Sequence, residues 1–130
     1  MGARSSASAA RETEVQSAVR SIYEALGCIV YTLADYRTGY KRVSRGVPDL
    51  LVFCERKRLA FFQEVKTDDG KQSPEQREFQ RRCQRTRMEY VLGGVQAAYD
   101  TASRLGLAPP GKSLYDALHP ASAEAEAPAP

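Results

Sequence analysis

Residues 46–76, GVPDLLVFCERKRLAFFQEVKTDDGKQSPEQ, are the stretch whose reading decides the fold. It holds Pro48-Asp49 and, fifteen positions after the aspartate, Glu64-Val65-Lys66. Between them lie two apolar runs, residues 50–54 and 59–62, rich in β-formers and free of internal Gly or Pro. Each reads as a strand. Glu55-Arg56-Lys57-Arg58 between them has the length and polarity of a hairpin turn. With the turn centred on Arg56 and Lys57, facing residue numbers sum to 113, and Asp49 lies across from Glu64. Opposed residues on antiparallel strands point to one side, with Cβ atoms roughly 4.5–5.5 Å apart. Alternation brings Lys66 to that side too. A one-residue slip would undo the arrangement.

Two neighbouring carboxylates repel, and placing them beside apolar strands is costly unless a cation sits with them. A hard divalent ion such as Mg²⁺ suits carboxylate and carbonyl oxygens and keeps several waters. Such an ion polarises a phosphoryl oxygen and acidifies a bound water, which an ammonium at Lys66 could orient. The plainer alternative is a solvated, salt-bridged strand end.

Pro48-Asp49 followed by Glu64-Val65-Lys66 resembles the PD-(D/E)xK nuclease core. The wider series Gly46-Val47-Pro48-Asp49-Leu50, Glu64-Val65-Lys66, Gly70 and Ser73-Pro74-Glu75-Gln76 resembles the VRR-NUC family of that superfamily. The likeness extends from about Glu12 to about Leu105. It implies a restriction-endonuclease-like core and a DNA endonuclease dependent on Mg²⁺ or Mn²⁺. Asp49, Glu64 and the Val65 carbonyl are then the metal ligands, and Lys66 activates water. A helix-one Glu assists the metal in that family, and the Glu-x-Gln pattern matches Glu14 and Gln16 better than Glu12. Gln76 borders the active site in similar nucleases. Family members made of this domain alone are similar to Holliday-junction resolvases and act as homodimers, so branched DNA is the expected substrate.

Composition sets the frame. A chain of 130 residues is one domain with room for a core. No apolar run approaches the ~20 residues of a membrane span, and no apolar h-region follows Met1. Met1-Gly2 with Ser6 fits the myristoylation pattern formally, but one acyl chain anchors only marginally. A cytoplasmic protein is expected. The three cysteines are odd in number and lack a CxxC pair, which argues against disulfides and a zinc site. Cys28 and Cys54 read as small core residues. The net charge of +3 is mild, but its placement is informative. Arg37, Lys41, Arg42 and Arg45 precede the motif, while Lys71, Arg77, Arg81, Arg82, Arg85 and Arg87 follow Lys66. Basic groups around a pair of acids suit a polyanionic partner, here DNA; a solvated helix face is the plain alternative.

Along the chain, residues 1–10 are small and polar and are expected to be flexible. From about Arg11, Val15, Ala18, Val19, Ile22, Tyr23 and Leu26 recur at helical spacing, with Gly27 as the stop. An acid in the first turn of that helix also has a purely electrostatic explanation, the helix dipole. Residues 28–33 read as a strand. Residues 34–47 have no period and read as a loop, in which Tyr36 and Tyr40 could stack on bases or anchor packing. Ser73 opens a second helix to about Arg85, with Pro74 at N1 and Gln76 completing an S-x-x-Q capping box. Phe79 and Cys83 form its inner face. Residues 88–92 are a fourth strand, expected parallel to the second hairpin strand because a helix separates them. Residues 95–105 form a third helix closed by Gly106, and 114–118 can form a short helical turn. His119, the single histidine, lies at the tail, which excludes His-based mechanisms such as a Ser-His-Asp triad.

The expected architecture is α/β, a mixed sheet of about four strands with helices on both faces. Residues 11–108 form the nuclease domain, and 109–130 form a Pro/Ala/Glu-rich, mostly disordered tail. The competing readings are a non-catalytic DNA-binding or assembly module on a nuclease fold and a restriction-type nuclease.

Overall fold

The computed structural model describes residues 6–35, 41–42 and 44–119. Helix α1 spans Ser6–Ala25, followed by strands β1 (Ile29–Thr32), β2 (Ala34–Asp35), β3 (Lys41–Arg42), β4 (Leu50–Cys54) and β5 (Leu59–Val65). Then come α2 (Pro74–Thr86), β6 (Glu89–Gly93), α3 (Val95–Leu105) and α4 (Leu114–Leu118). The main sheet is mixed and four-stranded, in the order β1-β4-β5-β6. β1–β4 and β4–β5 are antiparallel, and β5–β6 is parallel, as the intervening helix requires.

The β4–β5 register has the expected sum of 113, running from Cys54↔Leu59 to Leu50↔Gln63. A 3₁₀ turn over Glu55–Lys57 closes the hairpin, and Arg58 in the left-handed region returns the chain to β5. Alternation then divides the sheet. Phe61 turns to the α1 side and meets Tyr23 edge-on at 5.2 Å. Phe62 turns to the other side, where Phe79 of α2 meets it edge-on at 5.1 Å and Tyr90 lies next to Phe79 at 6.3 Å. The main core lies on the first side: Val19, Ile22, Tyr23 and Leu26 of α1 against Val30, Val52, Phe61 and Val91, closed by Ala98 and Ala102 of α3.

Four expectations change. Helix α1 begins at Ser6, not near Arg11, because the Ser- and Ala-rich residues before Arg11 readily extend a helix whose later turns pack on the sheet. The loop after β1 contains a paired ladder, Ala34↔Arg42 and Asp35↔Lys41; Tyr36, Arg37 and Tyr40 lie outside the described residues. The short helical turn expected at 114–118 forms as α4 and sets Ala117 into the core with Leu114 and Leu118 packed against it, so core-packing chain reaches past the expected boundary at 108. Finally, helices lie on both faces of the sheet as expected but cover them unequally. Helix α2 reaches only the β5–β6 half of the second face, leaving Ile29, Tyr31 and Phe53 exposed.

The three cysteines are free and buried, as small core residues should be. Continuing the β1–β4 register one step past Ile29↔Phe53 sets Cys28 opposite Cys54. Burial pushes the Cys28 thiol up to about 12, and its neighbour Cys54 adds to the shift. Burial likewise raises the Tyr23 phenol. Groups kept neutral in this way contribute stability that is complete below their ordinary pKa and is lost as pH climbs toward the raised value. We therefore expect a melting temperature that is flat from about pH 7 to about pH 9 as far as Cys28 is concerned, then falls at higher pH. Cys28→Ala should flatten that alkaline decline in a circular-dichroism titration; an identical slope would remove Cys28 as a contributor.

Candidate active site

Asp49 stands between Pro48 and the first residue of β4. Its main-chain oxygen accepts the N–H groups of Leu33 (2.6 Å) and Ala34 (3.3 Å), which ties the start of β4 to the chain leaving β1. Its Oδ2 accepts the Val65 N–H at 2.7 Å, a bond that crosses from β4 to β5. Leu50↔Gln63 is the outermost pair of the hairpin ladder, so Asp49 and Glu64 form the next step out. Both residues are 0% exposed. Glu64 Oε2 accepts from Gln76 Nε2 at 2.9 Å and lies 3.8 Å from Lys66 Nζ. That ammonium also donates to the Lys71 carbonyl at 3.0 Å. The Lys66 side chain is 15% exposed, so it joins the buried acids to the solvent side.

Gln76 serves two structures at once. Its Oε1 accepts the Ser73 N–H at 2.7 Å while its own N–H donates to Ser73 Oγ at 3.1 Å, which completes the capping box of α2. The remaining amide nitrogen is thereby aimed at Glu64. Gly46 reinforces the docking of this helix start. Its φ is +86°, and a Cβ there would come within 2.6 Å of the Glu75 carbonyl oxygen, so only glycine lets the chain before Pro48 lie against α2. Tyr90 borders the group: burial first, then the Glu64 charge, raises its phenol, against the bond from Gln72 Nε2 at 3.2 Å.

On α1 the structure separates the three candidates. Glu14 is exposed, whereas Glu12 and Gln16 are buried. Gln16 Nε2 donates to the Ala34 carbonyl at 3.0 Å, and Ala34 in turn bonds to the Asp49 main chain. Glu12 lies one turn away on the same stripe. Residues two apart on a helix do not share a face while residues four apart do, which is why Glu14 and Gln16 part and Glu12 and Gln16 share the buried stripe.

The basic residues fall into two sets. Arg45, Lys71, Arg77 and Arg81 are exposed. Arg81 places Nε and Nη2 on Glu78 Oε2, at 2.9 and 2.6 Å, and Arg82 and Arg85 also reach Glu78. Their charge is partly neutralised within the helix, and the Arg81 bond holds the Glu78 carboxyl below its usual range. Arg77 instead donates to the Gln72 carbonyl at 2.9 Å, at the helix end beside Gln76. Lys41 and Arg42 form the short strand β3.

Sequence patterning passed over Gln63. It is 0% exposed on the α1 side, with Phe61 and Val65 at the same parity of β5. A polar residue at a core-facing parity was the available signal.

The donors at this site are hard oxygens: two carboxylates and the adjacent main-chain carbonyls. Among the described residues there is no group of three or more His, Cys, Asp or Glu placed to hold a metal ion. Two carboxylates still fit Mg²⁺, which commonly takes one or two from the protein and fills its shell with water and substrate phosphate.

The chain matches the family model of the VRR-NUC domain over residues 4–97. It is also similar to a solved structure described as a VRR-NUC domain, with 28% identity and a TM-score of 0.57 over 72% of this chain and 94% of that one. No curated protein matches it.

The double role of Gln76 can be separated experimentally. Glu also completes a capping box at this position, so Gln76→Glu keeps the helix cap but sets a second carboxylate against Glu64. Relative to wild type, that variant should lose about 1–3 kcal/mol at neutral pH, and less in acid where one carboxyl is protonated. Thermal melts across pH check this; a pH-independent deficit would mean that the Glu64 bond is unimportant.

Proposed function

Because the chain belongs to the VRR-NUC family, a nuclease-type domain, we propose that it is a metal-dependent endonuclease hydrolysing phosphodiester bonds in DNA. The observation that carries this reading is the pair of shielded acids on adjacent strands, Asp49 and Glu64, with the Lys66 ammonium 3.8 Å from Glu64. Asp49, Glu64 and the Val65 carbonyl would hold Mg²⁺ or Mn²⁺, which when bound supplies a Lewis acid for the phosphoryl oxygen and acidifies a water. Lys66 orients that water and offsets charge on the phosphate. Gln76 holds Glu64 Oε2 in place. Glu12, with its buried position, replaces Glu14 as the helix-one acid of the site. Arg45, Lys71 and Arg77 supply the cationic rim for the backbone on either side of the cut, with Lys41 and Arg42 extending it.

Branched DNA, such as a four-way junction, is the proposed substrate. Paired nicks in a junction need two sites, and one small domain has one, so a homodimer is the proposed working unit. The uncovered half of the sheet supports this, because Ile29, Tyr31 and Phe53 are exposed there on the face that also carries Asp49 and Glu64. The competing reading is a DNA-binding or assembly module on the same fold that does not cut.

Labelled four-way junctions, flaps and linear duplex incubated with Mg²⁺ or Mn²⁺ decide between these readings. Asp49→Ala and Lys66→Ala should each lower cleavage by about 10²–10⁴-fold, and EDTA should abolish it. Cleavage by both variants at the wild-type rate would sink the site assignment, and metal-independent binding without cutting of any substrate would favour the second reading.

Light scattering after gel filtration tests the assembly. Wild type should run as a dimer and the Tyr31→Ser/Phe53→Ser double variant as a monomer; a monomeric wild type would end the dimer proposal, and a dimeric variant would move the interface elsewhere.

A further inference from the structure

Gln63 lies beside Glu64 in sequence but points to the opposite side of the sheet, away from the proposed chemistry. Its side chain is fully enclosed, and its side-chain hydrogen bonds reach residues far away in the chain. Tyr23 of α1 donates its hydroxyl to Gln63 Oε1 at 2.5 Å. Gln63 Nε2 donates to the Gly93 carbonyl at 3.1 Å and to the Gly94 carbonyl at 3.3 Å. Burial raises the Tyr23 phenol, so this hydroxyl stays a donor through the working pH range.

The two carbonyls have other partners. Gly93 O also accepts the Lys66 main-chain N–H at 3.2 Å, and Gly94 O accepts the Ala98 N–H at 3.1 Å, the first turn of α3. Gly94 also lies close to Lys66: a Cβ added to it would stand 3.2 Å from the Lys66 carbonyl oxygen and 3.1 Å from Val15. The Lys66 N–H is therefore bonded to the Gly93–Gly94 turn and its carbonyl lies beside it, and the Gln63 amide clamps that turn. A buried polar network of this kind is costly when half satisfied and directional when complete. An apolar side chain at the same parity would fill the space and leave two carbonyls less well bound.

We propose that Gln63, backed by Tyr23, is a positioning residue for Lys66: it locks the Gly93–Gly94 turn and so fixes where β5 ends and where the ammonium leaves the backbone toward Glu64. Gln63 touches neither substrate nor cation. Its action runs through the main chain of Lys66, from the face opposite the acids. The catalytic half of this statement rests on the nuclease reading; the structural half does not.

The experiment has two arms. The first is amide hydrogen exchange in Gln63→Leu and Tyr23→Phe, compared with wild type. Exchange at the Lys66 amide should be faster by about tenfold or more, while the amides of β4 and mid-α2 stay at wild-type protection. The second arm is cleavage of a DNA substrate well below the melting temperature of each variant. The turnover rate should fall by about 10–100-fold in Gln63→Leu, and less in Tyr23→Phe, with DNA affinity in Ca²⁺ unchanged. Tyr23→Phe keeps the ring on Phe61, so it covers the case in which Gln63→Leu fails to fold. Unchanged exchange at Lys66 overturns the proposal. Faster exchange with an unchanged turnover rate overturns its catalytic half, as does a fall explained wholly by lost stability. Should wild type cut no DNA, the nuclease reading fails, and the exchange arm still decides whether Gln63 anchors Lys66.

Discussion

Asp49 and Glu64 are both fully shielded from water, and a carboxylate taken into the interior costs several kcal/mol unless donors or cations replace its hydration. The surrounding structure supplies those replacements from separate parts of the chain. The Val65 N–H comes from β5, the Gln76 amide from the first turn of α2, and the Lys66 ammonium from the chain just past β5. Each depends on the β4–β5 register, because a slip of one residue would turn one acid to the α1 side and leave its partners facing apolar groups.

Two glutamines stabilise this corner from opposite faces. Gln76 divides its amide between a helix cap and Glu64, so forming α2 and orienting the acid are one event. Gln63 works on the other face, where it gathers Tyr23 and the Gly93–Gly94 turn around the Lys66 peptide. An amide carries both donor and acceptor without charge, which makes it suited to a place where another carboxylate or ammonium would upset the existing pair. Local chemistry elsewhere is simpler. The arginine stripe of α2 is balanced in part by Glu78, while Arg77, beside the helix start, donates to the Gln72 carbonyl.

Uneven cover on the sheet has a comparable origin. α1 is long enough to lie across several strands, and α3 and α4 pack beside it, so the first face is closed. Among the described residues the second face receives α2, docked on Phe62 and Tyr90 through Phe79. Ile29, Tyr31 and Phe53 are the consequence, an apolar half-face adjoining the acids.

Much of this was legible in residue order. Hairpin length and strand alternation alone determined the register of 113, the pairing of Asp49 with Glu64 and the side taken by Lys66, because those follow from a period of two and a short turn. Ser73-Pro74-Glu75-Gln76 likewise announced the start and capping of α2, since a capping box is a local structure. Only the tertiary structure decided that Glu12, not Glu14, lies on the buried stripe, that α2 leaves half a face open, and that Gln63 reaches Gly93 and Gly94. These depend on how an element is rotated about its axis and what packs beside it, and such choices are made by contacts between residues far apart in the chain, which no local spacing encodes.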